Sequence, residues 1–144
     1  MARSGPHSPL RLLAMDAEDL GVLSAALQDA VLKVGDIRYE RRARRLTLAV
    51  NRFVWEGARR ERARAALQIG SVESVQARRI RLGAKDAVLE LLAVGFEPGE
   101  APGGVLAFAF AGGGDLKVAV ECVDAVLADL SDPWPTPRAP RHAR

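Results

Sequence analysis

Residues 104–130 read GVLAFAFAGGGDLKVAVECVDAVLADL. Two short apolar runs meet across residues 112–115, where glycines supply the positive φ angles of a tight turn, so the pattern predicts a β-hairpin. The apolar residues after the hairpin recur at three- and four-residue spacing, which predicts a closing helix: Val123, Val126, Leu127 and Leu130. The stretch describes a scaffold, and it holds no residue cluster that requires a particular chemistry.

The length of the chain fits a single domain. With 144 residues, 49% apolar and 27% charged, the composition is that of a globular protein with one core. The termini differ from the middle, because residues 1–9 lack an apolar pattern and residues 132–144 are rich in proline and arginine. We therefore predict a disordered N-terminus over residues 1–9, a globular α+β domain over residues 10–131, and a disordered tail over residues 132–144.

No segment of the sequence predicts export or membrane insertion. The apolar runs are all shorter than the roughly 20 residues of a membrane-spanning helix, and acids follow the run at residues 10–15 too closely for a signal peptide. Cys122 is the only cysteine, so an internal disulfide is impossible. The sequence predicts a cytoplasmic protein that does not bind a membrane, and it leaves the oligomeric state open.

The fold class follows from the order of the predicted elements. Asp16 is a suitable N-cap for a helix that runs to about Ala30 with one apolar face. Six to eight short strands follow, with an interruption at Gly35 and a bulge near Asn51, and regular alternation of strand and helix is absent. We predict an α+β fold: a curved antiparallel sheet or partly open β-barrel, with one N-terminal and one C-terminal helix. The order of the last elements resembles that of the pleckstrin-homology superfold.

Charge is segregated along the chain. Residues 38–81 carry thirteen arginines against four glutamates, a net charge of +9, whereas residues 86–131 carry eight acids against one lysine, a net charge of −7. Such segregation builds one basic face for a polyanion or an acidic partner, or it cancels where basic and acidic strands pair as neighbours. We favour cancellation.

Motifs for catalysis or cofactor binding are absent from the sequence. Both histidines, His7 and His142, lie in the predicted disordered termini, so the domain lacks an imidazole for acid–base or metal chemistry. The triple glycine at residues 112–114 sits between two apolar strands and does not fit a phosphate-binding loop. The sequence predicts no catalytic residue, no cofactor and no metal, and it favours a non-catalytic protein.

Two features are candidates for contact with a partner. One is the arginine-rich segment, and the other is the aromatic strand end that follows it. Together they give these candidate residues for binding a partner or an anion: Arg41, Arg42, Arg44, Arg45, Arg52 and Trp55. The leading hypothesis is a protein-interaction module that binds another protein. The alternatives are a nucleic-acid-binding protein that uses an arginine face, and an enzyme or binder of a small anionic metabolite.

Four stretches of the chain resemble one known family. They are LRLLAMDAEDLGVLSAALQDAVLKVGDIRYERRARRLTLAVNRFVWE at residues 10–56, LLAVGFEPGEAPGG at 91–104, AFAGGG at 109–114 and VECVDAVLADL at 120–130. The chain is similar here to a family of short alphaproteobacterial proteins catalogued as a domain of unknown function, DUF2948. The resemblance covers about residues 10–134 and implies a cytoplasmic, single-domain bacterial protein. It implies no activity, cofactor or catalytic residue.

Overall fold

A computed structural model describes residues 9–137 of the chain. The predicted disordered N-terminus, apart from Pro9, and residues 138–144 of the predicted tail lie outside the described residues, as do both histidines.

Antiparallel strands dominate the described part of the chain, which contains one α-helix. The elements are β1 (Arg11–Ala14), α1 (Ala17–Leu27), β2 (Val31–Lys33), β3 (Ile37–Glu40), β4 (Arg45–Phe53), β5 (Glu61–Ile69), β6 (Val72–Arg78), β7 (Val88–Pro98), β8 (Gly104–Phe110), β9 (Asp115–Val120), β10 (Ala125–Asp129) and β11 (Trp134–Pro135). A 3-10 turn at Val34–Asp36 joins β2 to β3, which confirms the interruption predicted there.

Helix α1 starts where the sequence predicts. The Asp16 carboxylate accepts a hydrogen bond from the backbone N–H of Asp19 at 2.8 Å, and it thereby satisfies a donor that the helix itself leaves free. Leu20, Leu23 and Leu27 are buried on the inner face of the helix. On β7, the Val94 N–H donates to the Ser24 hydroxyl at 2.9 Å. Helix α1 thus packs against β7 and satisfies a backbone donor that would otherwise need a neighbouring strand.

The strands form one open sheet in the order β1-β10-β5-β4-β2-β7-β8-β9-β6, with β3 added to β4 and β11 added to β5. All of the strand pairs are antiparallel. The two terminal strands, β1 and β6, are not paired with each other among the described residues. The prediction of a pleckstrin-homology-like barrel is therefore wrong, because the ladder of backbone hydrogen bonds does not close.

The sheet bends at one corner so that its two halves share a core. At this corner β5 passes into β6 beside the passage from β9 to β10: the Gly70 N–H donates to the Asp124 carbonyl at 2.8 Å, and the Glu121 N–H donates to the Ser71 carbonyl at 3.0 Å. A Cβ on Gly70 would lie 2.5 Å from Asp124 Oδ2, so any other residue at this position would require the Asp124 carboxylate to move. A single cluster of buried apolar side chains extends from α1 and β1 to β9 and β10.

The predicted hairpin is confirmed, but the predicted C-terminal helix is wrong. Strands β8 and β9 pair across a turn in which Gly112 and Gly113 have φ angles of +89° and +97°. Residues 125–129, where a helix was predicted, form β10 between β5 and β1. A short apolar run fits helical and strand periods alike, and the backbone groups of two neighbouring strands decide between them. The fold is thus an open, mainly antiparallel sheet with one helix.

Candidate functional site

Arg52 lies at the centre of a buried ion cluster. Its side chain has no exposed surface, because the phase of β4 points residue 52 inward after Val50. The guanidinium donates to both Asp129 carboxylate oxygens, at 2.7 and 2.9 Å, and to both Glu56 oxygens, at 3.0 and 2.7 Å. Asp129 is equally inaccessible, whereas the Glu56 side chain is 48% exposed. The regular pairing of β4 with β5 through Phe53 also replaces the bulge predicted near Asn51.

The ion pairs of this cluster have a structural role. Burial opposes the charged form of Arg52, but hydrogen bonds from its guanidinium to Asp129 and Glu56 outweigh burial and raise the pKa of Arg52. Both carboxylates therefore face a permanent cation. Arg52, a candidate for binding an external anion, instead joins β4 to β10 and to the loop after β4, and it is inaccessible to an outside ligand.

The Arg52–Glu56 pair predicts a dependence of stability on pH. The hydrogen bond from Arg52 lowers the pKa of Glu56 below its ordinary value, although burial of the carboxylate acts in the opposite direction. A lowered pKa in the folded state means that the stabilisation is complete above the ordinary glutamate pKa of about 4.3 and is lost as the pH falls through the folded value. We expect Glu56→Gln to cost about 1 kcal/mol at neutral pH, a modest amount because the carboxylate is half-exposed. The difference from the wild type should shrink as the pH falls below the ordinary glutamate value of about 4.3. Urea unfolding at neutral pH and at a series of acidic pH values measures it, and a difference independent of pH would contradict it.

Trp55 lies against the chain near the end of α1. Its indole N–H donates to the Gln28 carbonyl at 3.0 Å, and its ring meets the Phe53 ring edge-on with centroids 4.6 Å apart. The side chain is 38% exposed. Trp55 thus combines an anchoring role with an exposed part that a partner can contact.

The remaining candidates lie on the turn between β3 and β4 and at the first residue of β4. Arg44 pairs with Glu121 and Arg45 pairs with Glu40, whereas Arg41 and Arg42 are exposed. No ion pair involves Arg41 or Arg42 among residues 9–137. The structure therefore does not bring the six candidates together as one basic face, since three of them are committed to carboxylates of the chain itself.

The segregated charges meet across the sheet. Three ion pairs join the arginine-rich half of the chain to the acidic half, namely Arg44–Glu121, Arg52–Asp129 and Arg78–Asp115. The basic and acidic strands are neighbours through the β5–β10 and β6–β9 pairings, so opposite charges lie within reach of each other. This arrangement neutralises part of the arginine-rich segment.

A cavity of about 420 Å³ opens beside β2, β4 and β5. We call it the β2–β4–β5 cavity, and its lining consists of Val31, Leu32, Lys33, Asp36, Asn51, Arg64 and Val88. The Arg64 guanidinium donates to Asn51 Oδ1 at 3.2 Å and to Asp36 Oδ2 at 3.1 Å. The cavity thus combines a fixed cation, a carboxylate and aliphatic side chains.

Strand β6 leaves one of its backbone edges open beyond Val72, whose N–H donates to the Arg44 carbonyl at 2.9 Å. The strand is seven residues long, and among residues 9–137 it pairs only with β9. The Phe110 N–H donates to the Gly114 carbonyl, so the alternate residues 116, 118 and 120 of β9 bond to β8, and residues 115, 117 and 119 face β6. It follows that Val75 and Ala77 direct their backbone N–H and C=O groups away from β9. We call this side of residues 74–78 the β6 edge.

The two ends of the β6 edge carry opposite charge. At its start lies a pocket of about 480 Å³, here called the acidic pocket, whose lining includes Glu73, Glu100 and Glu121, the last of which is paired with Arg44. Its other end holds three arginines, of which Arg78 is partly neutralised by Asp115 at 2.8 Å: Arg78, Arg79 and Arg81. Arg79 and Arg81 are exposed, and neither forms an ion pair within the described residues. A strand that pairs with the β6 edge therefore meets negative charge at one end of the edge and positive charge at the other.

The described part of the chain lacks two further kinds of site. Residues 9–137 contain no group of three or more histidine, cysteine, aspartate or glutamate side chains arranged to hold a metal ion. Over the same range, no helix has the length and apolar character that crossing a bilayer requires.

Together these features define a small, mainly antiparallel β-sheet protein with an open strand edge and a half-polar cavity. The chain belongs to the family described as "Protein of unknown function (DUF2948)", whose model matches residues 10–142, and this confirms the resemblance seen in the sequence. No curated protein and no solved structure shows a significant match to it.

Two of these features were missed by the sequence analysis. The residues of the β2–β4–β5 cavity come from four separate segments, and no local spacing links Lys33 to Arg64 or to Val88. The β6 edge has a faint signal in VESVQAR, where polar residues interrupt the apolar pattern more often than in the neighbouring strands. That composition is typical of edge strands, which carry charges that limit uncontrolled pairing.

Proposed function

We propose that this protein is a non-catalytic protein-interaction module that binds an extended segment of another protein along the β6 edge. The observation that carries the proposal is the outward backbone of Val75 and Ala77 on a seven-residue strand, which pairs only with β9 among residues 9–137. Addition of a strand to such an edge is a common mode of peptide recognition, in which main-chain hydrogen bonds supply affinity and the flanking side chains supply specificity.

The charges at the two ends of the β6 edge support an antiparallel partner of defined polarity. In an antiparallel pair, the amino end of the partner lies beside Arg79 and Arg81, and its carboxyl end lies beside the acidic pocket. Opposite charges across a strand pair stabilise it, and like charges destabilise it. The partner segment therefore has an acidic residue near its amino end and a basic residue near its carboxyl end.

The nucleic-acid alternative has less support. Of the arginines considered for phosphate contacts, Arg44, Arg45 and Arg52 pair with carboxylates, and this leaves fewer cations to release counterions from a phosphate backbone. For the location of the protein we propose the cytoplasm, because a lone cysteine suits a reducing compartment.

A pair of synthetic peptides tests the proposed binding. The first is a capped heptapeptide of alternating threonine and valine, with glutamate at its amino end and lysine at its carboxyl end. The control peptide has these two charged residues exchanged. We expect saturable binding of the first peptide, with slower amide hydrogen exchange at Val75 and Ala77 than in the free protein, and binding of the control about tenfold weaker.

Two variants place the binding on the backbone of the β6 edge. Ala77→Pro removes an outward N–H without removing a donor to β9, so we expect at least about a tenfold weaker affinity for the first peptide. Gln76→Ala is the matched control, because the Gln76 backbone bonds to β9 and its side chain is exposed. This variant should bind with unchanged affinity. An unaltered amide spectrum of the core strands shows that both variants fold.

Four results would overturn the proposal. The first three are absence of saturable binding by either peptide, equal binding of both peptides, and equal loss of affinity in Ala77→Pro and Gln76→Ala. The fourth is protection of the Val75 and Ala77 amides that rises with protein concentration in the absence of peptide, because it would place a second copy of the chain on the β6 edge.

A further inference from the structure

We propose that the β2–β4–β5 cavity is a binding site for a small organic carboxylate with a short, branched aliphatic chain. This inference is independent of the β6 edge, since the residues that line the cavity lie on β2, on the 3-10 turn after it, on β4, on β5 and at the start of β7. Its volume of about 420 Å³ is within the range of small-molecule sites, roughly 300–1,000 Å³.

Arg64 supplies a cation that is already held in position. Its guanidinium is oriented by Asn51 Oδ1 at 3.2 Å and by Asp36 Oδ2 at 3.1 Å, and its backbone N–H donates to the Ser131 hydroxyl at 3.0 Å. A guanidinium has five N–H donors. Two of them donate to these side-chain acceptors, so three remain for a ligand carboxylate, to which arginine can donate two parallel hydrogen bonds.

Lys33 adds a second positive charge to the lining. Its ammonium lies 3.7 Å from the Asp86 carboxylate, which is 97% exposed, so this ion pair holds the lysine weakly. The lining thus holds two cations against one carboxylate, that of Asp36. A single excess positive charge is balanced by a monoanion, whereas a dianion such as a phosphate monoester would leave an excess negative charge in the cavity.

The other part of the cavity is aliphatic. Val31, Leu32 and Val88 line it, and Val88 is 65% exposed although its side chain is apolar. Covering Val88 with a branched alkyl chain removes apolar surface from water on both molecules. A carboxylate on Arg64 and an alkyl group on Val88 together define an amphipathic monoanion.

Titration with 4-methylpentanoate, followed by the amide signals of the protein, is the direct test. We expect saturable shifts at Val31, Lys33 and Val88. The first control ligand is 4-methylpentan-1-ol, which keeps the branched chain and lacks the charge, and we expect its affinity to be at least about tenfold lower. The second is leucine, which adds an ammonium group to the same skeleton, and we expect it to bind no more tightly than 4-methylpentanoate.

Variants then assign the binding to the two cations. Arg64→Gln and Lys33→Gln should each weaken the binding of 4-methylpentanoate, the former by at least about tenfold because it removes the paired donors. Lys33 is 59% exposed, so its replacement is compatible with folding and keeps the test valid where Arg64→Gln does not fold. Arg41→Gln removes an equal charge outside the cavity and should leave the affinity unchanged.

The site assignment is overturned by equal binding of the acid and the alcohol, by shifts that lie away from the cavity, or by equal effects of Lys33→Gln and Arg41→Gln. Tighter binding of leucine than of 4-methylpentanoate would show that the cavity prefers a zwitterion, and it would contradict the proposal that the ligand is a monoanion. None of these results depends on the peptide experiment at the β6 edge, so each proposal stands or fails separately.

Discussion

Replacing Arg52 by glutamine is expected to lower the free energy of unfolding by about 3–5 kcal/mol, the usual cost of removing one partner from a buried ion pair. The reason is the state of Asp129, which has no exposed side-chain surface and accepts two hydrogen bonds from Arg52. Without the guanidinium, the Asp129 carboxylate loses two hydrogen bonds and a neighbouring positive charge, and its burial keeps water from replacing them. Glu56 contributes less to the loss, because its half-exposed side chain can regain water.

Urea unfolding of four variants tests the role of this cluster: Arg52→Gln, Asp129→Asn, the double variant of these two, and Arg45→Gln. Arg45→Gln is the matched control, because it breaks a bidentate but exposed pair with Glu40 and should have only a small effect on stability. The double variant Arg52→Gln with Asp129→Asn removes both buried charges, so its cost should be clearly smaller than the sum of the two single costs. A similar small cost for Arg52→Gln and Arg45→Gln would contradict the structural role of the cluster.

Leu127→Ala is expected to lower the free energy of unfolding by about 2–5 kcal/mol, whereas Leu130→Ala should change it by no more than about 0.5 kcal/mol. Leu127 is fully buried on β10, while Leu130 follows the strand and is 63% exposed. A C-terminal helix would place both leucines on one buried face. The pair of variants therefore distinguishes the strand from the helix that the spacing predicted.

Thermal and urea unfolding of the two leucine variants, with circular dichroism to confirm their fold, gives the comparison. Val126→Ala is a useful third variant, because Val126 lies on the outer face of β10 and is only partly buried. We expect its cost to lie between the other two. Equal costs for Leu127→Ala and Leu130→Ala would support a helical face and would count against the strand pairing with β5 and β1.

Local patterns accounted for the elements whose signals are complete within a few residues. Asp16 and Asp19 define the start of α1 because an N-cap hydrogen bond spans only three residues. The β8–β9 hairpin was predictable because its turn needs positive φ angles that glycine adopts without strain. The alternation in β4 also predicted a half-buried strand, and its inner positions are buried as expected.

Arg52 shows where the same reasoning fails. Its position on β4 has the inward phase, but the change of apolar phase between Val50 and Phe53 predicted a bulge, and Arg52 was a candidate for binding an anion. Its partner Asp129 is 77 residues away, so no local pattern contains the pair that makes burial of the arginine possible. Burial of a charge depends on a partner, and tertiary structure alone supplies a distant one.

The candidate sites divide in the same way. The arginines of the β3–β4 turn were visible in the sequence, but their pairing with Glu121 and Glu40 depends on which strands lie side by side. The β2–β4–β5 cavity exists because Arg64 on β5 meets Asp36 and Asn51 from two other segments. Proximity between distant segments is a property of the sheet order.

The sequence by itself determined the family, the helix at the start of the domain and the hairpin near its end, because each depends on residues close together in the chain. The tertiary structure decided that residues 125–129 form a strand, that Arg52 is buried and that β6 ends the sheet. The physical reason is that backbone hydrogen bonds between strands and ion pairs across the core join groups that are far apart in sequence. Their geometry is fixed only when the whole sheet has formed.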